Sequence, residues 1–327
     1  MKKFFIKKLI TRLVYSILMI LFLVTGIFFL IRLLPGDPVQ AYYSPQLGKE
    51  LAEKIKSEHG LDKPVYIQFT LWIKNILSGD FGYSIVYKKK VSYLIIDALR
   101  VTLLISLTSL ILQIIITIPL ALFLLKHKNS LIDILIDKLA LIVYSAPSFI
   151  IAVILIYFGS YLTKFFPSSQ LYSHDFYQLN SIEKIIDLLY HITLPVLTLT
   201  ITSVSFSLRY LRESLLKTEK EPFVLALRAN GIPENIIRYR HILPNALISY
   251  ITILGMEIGS LLSKTLVTES IFSLPGIGWL MVNSIFARDY PVIIALVMIS
   301  GVMVIIGNLI ADLLIARFNP QIASESI

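Results

Sequence analysis

Four uncharged apolar runs constrain this chain more than any other feature. Leu13–Ile31, Val101–Leu125, Leu139–Thr163 and Pro291–Ala311 contain no Asp, Glu, Lys or Arg. A helix rises about 1.5 Å per residue, so each run is long enough for roughly 30 Å of hydrocarbon. Two further runs complete the set. Ile192–Leu208 is at the short limit and continues into Arg209, Arg212 and Glu213. Pro244–Ser263 is uncharged except for Glu257. The reading is an all-α integral membrane protein with six spans. Ile271–Phe286 is also uncharged, but Ser273-Leu274-Pro275-Gly276-Ile277-Gly278 interrupts it. Clustered Pro and Gly break helices, so this stretch is expected outside the bilayer core as a re-entrant or surface element.

Composition agrees: 56% of residues are hydrophobic and only 16% charged, against about 25% charged in soluble domains. The net charge of +9 does not point to nucleic acid, because the basic residues sit beside the apolar runs, where they orient a protein in a bilayer. There is no cysteine, which excludes disulfides, thiolate catalysis and Cys-ligated zinc. The first residues, MKKFFIKKLITR, resemble the basic region of a signal peptide. The 19-residue run that follows is too long for such a leader and lacks a small-residue cleavage site, so it reads as an uncleaved first span.

Charge sets the orientation. Lys2, Lys3, Lys7, Lys8 and Arg12 place the N-terminus in the cytoplasm. Alternation then puts 126–138 inside, with Lys126, Lys128 and Lys138. It also puts Arg209–Pro244 inside, with seven basic residues. The segment 164–190 carries only Lys164 and Lys184 and falls outside. Arg32–Arg100 holds ten basic residues yet falls outside too; at 69 residues it is long enough to translocate regardless of charge. Within it, Glu50–Glu58 reads as an amphipathic helix, Gly60–Pro64 as a turn, Tyr66–Leu77 as a helix and Gly79–Gly82 as a second turn. Lys88-Lys89-Lys90 is most simply a solvated turn.

Between the fourth and fifth spans lies LALRANGIPENIIRYRHILP, from Leu225 to Pro244. It reads as two short helices joined by a bend. Gly231 ends the first, because glycine takes the left-handed cap conformation without a Cβ clash. Pro233 opens the second with Glu234 near its positive end, and Pro244 opens the next apolar run. Gly231, nine residues, then His241-Ile242-Leu243-Pro244 resembles the spacing of the coupling loop of ABC importer permeases.

The resemblance extends along the chain. Leu33-Leu34-Pro35-Gly36-Asp37-Pro38, Gly60-Leu61-Asp62-Lys63-Pro64-Val65, Gly79-Asp80-Phe81-Gly82-Tyr83-Ser84, Glu269-Ser270-Ile271-Phe272 and Ala287-Arg288-Asp289-Tyr290-Pro291 are similar, in order and spacing, to the B-type permease of dipeptide, oligopeptide and nickel importers. One departure stands out: the loop begins Leu225-Ala226-Leu227 where the general motif has Glu-Ala-Ala. The resemblance implies a type I ABC importer permease fold. It implies a cytoplasmic arm and first span over 1–31, an extracytoplasmic subdomain over 32–97, a transmembrane domain over 98–315 with a coupling loop at 219–244, and a cytoplasmic tail over 316–327. Ala226, Gly231, Pro233, His241, Leu243 and Pro244 would dock the ATPase. The implied partners are a second homologous permease, two ATP-binding-cassette ATPases and an extracytoplasmic solute-binding protein, with membrane lipid around them. Peptide is the implied cargo, and nickel or a metal–chelator complex the alternative.

Polar residues inside the spans complete the reading. Glu257 is a candidate lining residue of the pathway, since carboxylates are costly in lipid and face protein or water. Asn308 and Asp312, one turn apart, read as structural intramembrane polar groups. Pro119, Pro147 and Pro195 shape their helices. The five histidines show no ligand spacing, so no metal site is expected. No Gly-x4-Gly-Lys-Ser/Thr phosphate loop is present, nor a catalytic triad or carboxylate pair. The chain is therefore expected to hold no cofactor and to hydrolyse no ATP, which belongs to partner subunits. A secondary transporter is the remote alternative; it would need internal repeats, which are not evident, and would leave the charged loop unexplained.

Overall fold

A computed structural model describes residues 2–33, 63–84 and 86–318. Among them the regular structure is helical: α1 (Lys2–Leu33), α2 (Val65–Leu77), α3 (Val91–Lys126), α4 (Leu131–Ser145), α5 (Ser148–Ile156), α6 (Ser181–Glu219), α7 (Pro222–Ala229), α8 (Leu243–Ile271), α9 (Ile277–Phe286) and α10 (Tyr290–Phe318). A π-helical turn, Tyr157–Leu162, extends α5, and another, Ile237–Ile242, precedes α8. The expected helix Glu50–Glu58 and most of the turn after it lie outside the described residues.

Among the described residues four helices are long and apolar enough to cross a membrane unaided: α3, α6, the helix that runs from Glu234 through the start of α8, and α10 up to Ala311. The expected span Leu139–Thr163 is not one helix. It breaks between α4 and α5 and bends by 105°. Pro147 is the cause: it has no N–H to continue the ladder and pushes Ala146 out of the helical region, to φ −81° and ψ 134°. Counted as one broken span, this bent pair brings the number to five of the six expected. The apolar part of α1 that stands out is Leu13–Gly26, shorter than a full span.

The chain divides into two compact units. One draws on Met1–Thr102 and Pro275–Ile305. In it Val91, Ile95 and Ala98, on one stripe of α3, pack on Ile277 and Leu280 of α9 and on Val292, Ala295 and Leu296 of α10. The uncharged stretch expected to break does so at Phe272–Gly276, and its remainder, α9, is a short helix in this core. Ser84 donates its hydroxyl hydrogen to the fully buried Asp289 carboxylate, which also accepts the Val86 N–H at 3.3 Å. Two of the sequence motifs are thereby fastened together.

The other unit draws on Leu103–Leu274 and Ile306–Ile327. Here α6 packs on α4, α5 and α8. Asn180 caps α6 and forms a capping box with Glu183. Near the far end of α6, Leu211 and Leu215 meet Leu124, Val224, Ile237, Ile242 and Ala246 in a fully enclosed apolar cluster. Gly255 of α8 touches α10: a Cβ placed there would lie 2.7 Å from the Ala311 Cβ.

Candidate functional site

The bend at Leu225–Pro244 is built on that cluster. Pro222 opens α7, where its missing N–H costs nothing. The helix closes in a Schellman motif: Gly231, at φ +73°, donates its N–H to the Arg228 carbonyl at 3.0 Å, and Ile232 donates to the Leu227 carbonyl at 3.2 Å. Leu227 and Ile232 both pack on the apolar cluster, which is the hydrophobic contact that accompanies this cap. Pro233 is extended and accepts from Ile236 and Ile237.

Beyond it the structure departs from the expected second short helix. The turn at Glu234–Ile236 runs without interruption through the π-helical turn into α8, so Pro244 does not start a new helix. A proline inside a helix removes one bond and clashes with the carbonyl four residues back. The wider turn just before Pro244 makes room for it.

An ion-pair frame holds the bend. Arg228 donates to Glu234 at 2.7 Å and to Glu219 at 3.3 Å. Lys128 reaches Glu219 at 2.9 Å, and Arg238 lies 3.8 Å from Glu234. The hydrogen bonds to Glu234 make the Arg228 guanidinium hold its proton more tightly than usual. Beside the frame, Arg212 makes a two-pronged bond to the buried Asp133 at 2.9 and 2.8 Å. Val224, Ile237 and Ile242 point inward, while Phe223, Leu225, Ile236 and Tyr239 are exposed. Ala226, Gly231, Pro233 and Pro244 share that exposure; His241 and Leu243 are half-buried. The bend thus presents a surface of apolar side chains rimmed by charge.

A second polar site lies among α3, α6 and α8. Glu257 is 4% exposed. Its carboxylate accepts from the Gln113 amide, which also reaches the Ser207 hydroxyl at 2.6 Å, and from Lys264 at 3.1 Å. Thr200 donates to Ser109 at 3.2 Å nearby. Around Glu257 a small cleft of about 20 Å³ is lined mostly by Ser106, Ser109, Gln113, Ser203, Lys264 and Thr265. Asn308 is exposed on α10, and the side chain of Asp312 lies outside the described residues.

The sequence reading placed Glu257 but missed its partners. Lys264 follows it by seven residues, two helical turns on the same face, and Gln113 is the one amide in Val101–Leu125; both signals were available. The frame of Lys128, Glu219, Arg228, Glu234 and Arg238 was not, because its members come from four different segments.

The chain matches two protein-family models: "Binding-protein-dependent transport system inner membrane component" over residues 113–324, and "Binding-prot-dependent transport system membrane comp, N-term" over residues 1–108. It is 37% identical over 315 residues to the oligopeptide transport system permease protein AppB of Bacillus subtilis, covering 96% of this chain and 98% of that one. It is 32% identical over 321 residues to the nickel import system permease protein NikB of Staphylococcus aureus, covering 97% and 92%. It is 32% identical over 296 residues to the glutathione transport system permease protein GsiC of Salmonella typhimurium, covering 90% and 92%.

Proposed function

We propose, from the premise that this chain belongs to the family of binding-protein-dependent transport system inner membrane components, that it forms half of an ATP-driven pathway importing short peptides. The family is a membrane permease component of ABC transporters and a multi-pass cell-membrane protein. In our reading a second, similar permease supplies the other half, two separate ATPases supply the energy, and an extracytoplasmic binding protein delivers the cargo. Both termini and the Leu225–Pro244 bend face the cytoplasm. Residues 32–97 form an extracytoplasmic subdomain, 98–315 the transmembrane domain and 316–327 the cytoplasmic tail.

The observation that carries this reading is the exposed apolar face of the bend, mounted on a charged frame and a fully buried core. Such a surface passes a partner's movement into α6 and α8 because it is continuous with both. Leu225, where the general motif has Glu, is exposed and makes an apolar contact in place of a polar one. Closure of the ATPases on ATP moves the bend, and the spans shift between inward- and outward-facing populations, driven by the differential binding of nucleotide.

Peptide stands first as cargo because the AppB match is the higher in identity and spans nearly both chains. Nickel or a metal–chelator complex is the second reading, favoured by the NikB match. The test is reconstitution of the chain with its partner subunits in proteoliposomes, followed by uptake of labelled dipeptides and of nickel. ATP-dependent peptide uptake that needs every subunit is the expected result. ATP hydrolysis by the purified chain alone, or uptake driven by an ion gradient without the ATPases, overturns the reading.

A further inference from the structure

Two opposite charges meet in the cleft among α3, α6 and α8, and they differ in freedom. The Glu257 side chain is 5% exposed and that of Lys264 40%. Glu257 is fixed by Gln113, itself held to Ser207. Lys264 has Glu257 as its ion-pair partner at 3.1 Å and stands at the mouth of the cleft. The pair is neutral, which is the tolerable state for ionised groups inside a membrane. Its two positions are seven residues apart, about 10 Å along the helix, so the lysine stem leans back to close the bridge. Swung outward, the ammonium leaves a gap beside the carboxylate.

We propose that Glu257 and Lys264 form an exchangeable ion pair that receives the two charged ends of a short zwitterionic peptide in transit, Glu257 taking the ammonium and Lys264 the carboxylate. This rests on the reading of the chain as a peptide permease. Two extended residues span about 7 Å, less than the ~10 Å of helix between the two positions. With the bridge closed the cleft holds only about 20 Å³, room for about one water, so the peptide enters as Lys264 turns outward. The hydroxyls of Ser106, Ser109 and Ser203 line the same cleft and can serve the peptide's own N–H and C=O groups.

Exchanging one ion pair for two leaves the net charge in the membrane unchanged. The peptide is therefore held without a deep well, and it leaves when the Glu257–Lys264 bridge re-forms. A peptide blocked at either end brings a net charge and leaves one side of the pair without a match. Selection for zwitterions is thus built into the pathway, in addition to any selection by the binding protein.

The experiment uses the assembled permease–ATPase complex and three probes: dialanine, N-acetyl-dialanine and dialanine amide. Thermal stabilisation of the solubilised complex is titrated without the binding protein, and uptake into proteoliposomes is measured with it. Each variant is compared with wild type for the same probe, which cancels the binding protein's own preference. Glu257→Gln is expected to weaken dialanine and the amide by about tenfold relative to the N-acetyl form, the scale of one lost charge contact. Lys264→Gln is expected to weaken dialanine and the N-acetyl form by about tenfold relative to the amide. The double variant Glu257→Gln/Lys264→Gln keeps the packing, removes both charges together and is expected to lose the preference for the zwitterion. If all three probes weaken equally in both single variants, the pair is structural and the proposal is overturned. If the wild-type complex takes up nickel and none of the three probes, the peptide reading itself fails.

Discussion

Gly231→Val isolates the coupling bend from the rest of the fold. A Cβ at Gly231 meets nothing within 4 Å, so the first carbon of a new side chain adds no clash with neighbouring residues. The dominant cost is the backbone angle, φ +73°. For a β-branched residue that strain is about 3 kcal/mol, and for alanine about 1–2 kcal/mol. The backbone can escape by rotating φ to a negative value. It then gives up the two cap bonds, from Gly231 to Arg228 and from Ile232 to Leu227, at about 1 kcal/mol each. For valine, escape wins. For alanine the two costs nearly balance. Asparagine tolerates the left-handed region through local hydrogen bonds and keeps the bend.

The anchors under the platform are stronger than either term. Val224, Ile237 and Ile242 are fully buried, and each contributes about 1.5–3 kcal/mol as an upper estimate. The platform therefore stays folded while Pro233–Ile236 is re-aimed. The expected order of uptake is wild type, then Asn, then Ala, with uptake abolished in Val. Membrane abundance should hold near normal across the series, while ATPase co-purification falls in parallel with uptake. Whole-cell uptake, immunoblotting of membranes and pull-down of the ATPases check the three quantities. Equal uptake by wild type and the valine variant, with the ATPases bound as usual, would refute the role given to the bend.

Three further outcomes are expected. Single cysteines at Lys89 and Asn235, both exposed, should react oppositely with an impermeant thiol reagent on whole cells: Lys89→Cys labels and Asn235→Cys does not, and the reverse pattern would invert the topology. Gly255→Ala should destabilise the protein by about 1–3 kcal/mol, because the new methyl meets Ala311 at 2.7 Å; adding Ala311→Gly should restore much of the lost melting temperature in detergent, and absence of rescue would deny the close approach. Asp133→Ala should cost about 2–4 kcal/mol, since it strands Arg212 and the Asn129 N–H that Asp133 accepts at 3.0 Å; thermal unfolding unchanged from wild type would show the bond to be inert.

Much of this molecule is local, and what is local was legible in the amino-acid order. Uncharged runs mark the long helices because hydrocarbon admits no unpaired backbone and few charges. Gly231 marks the end of α7 because only glycine sits there without strain. Tyr66–Leu77 shows helical spacing and lies in α2. The misses arise where two constraints compete over several residues. Pro147 lies inside an uncharged run long enough to span, and hydropathy alone does not register that it turns the chain by 105°. Pro244 looks like a helix start, yet the preceding turn widens to keep the helix continuous.

Tertiary structure alone decided which polar groups meet. Lys128, Glu219, Arg228 and Glu234 become one frame only when α6 ends beside α7. Gln113 finds Glu257 across 144 positions of sequence. Periodicity reports which face of a helix is apolar, because that depends on neighbours three and four residues away. Which helix covers the face depends on packing between distant segments, and that packing turns a solitary buried carboxylate into a paired group in a cleft.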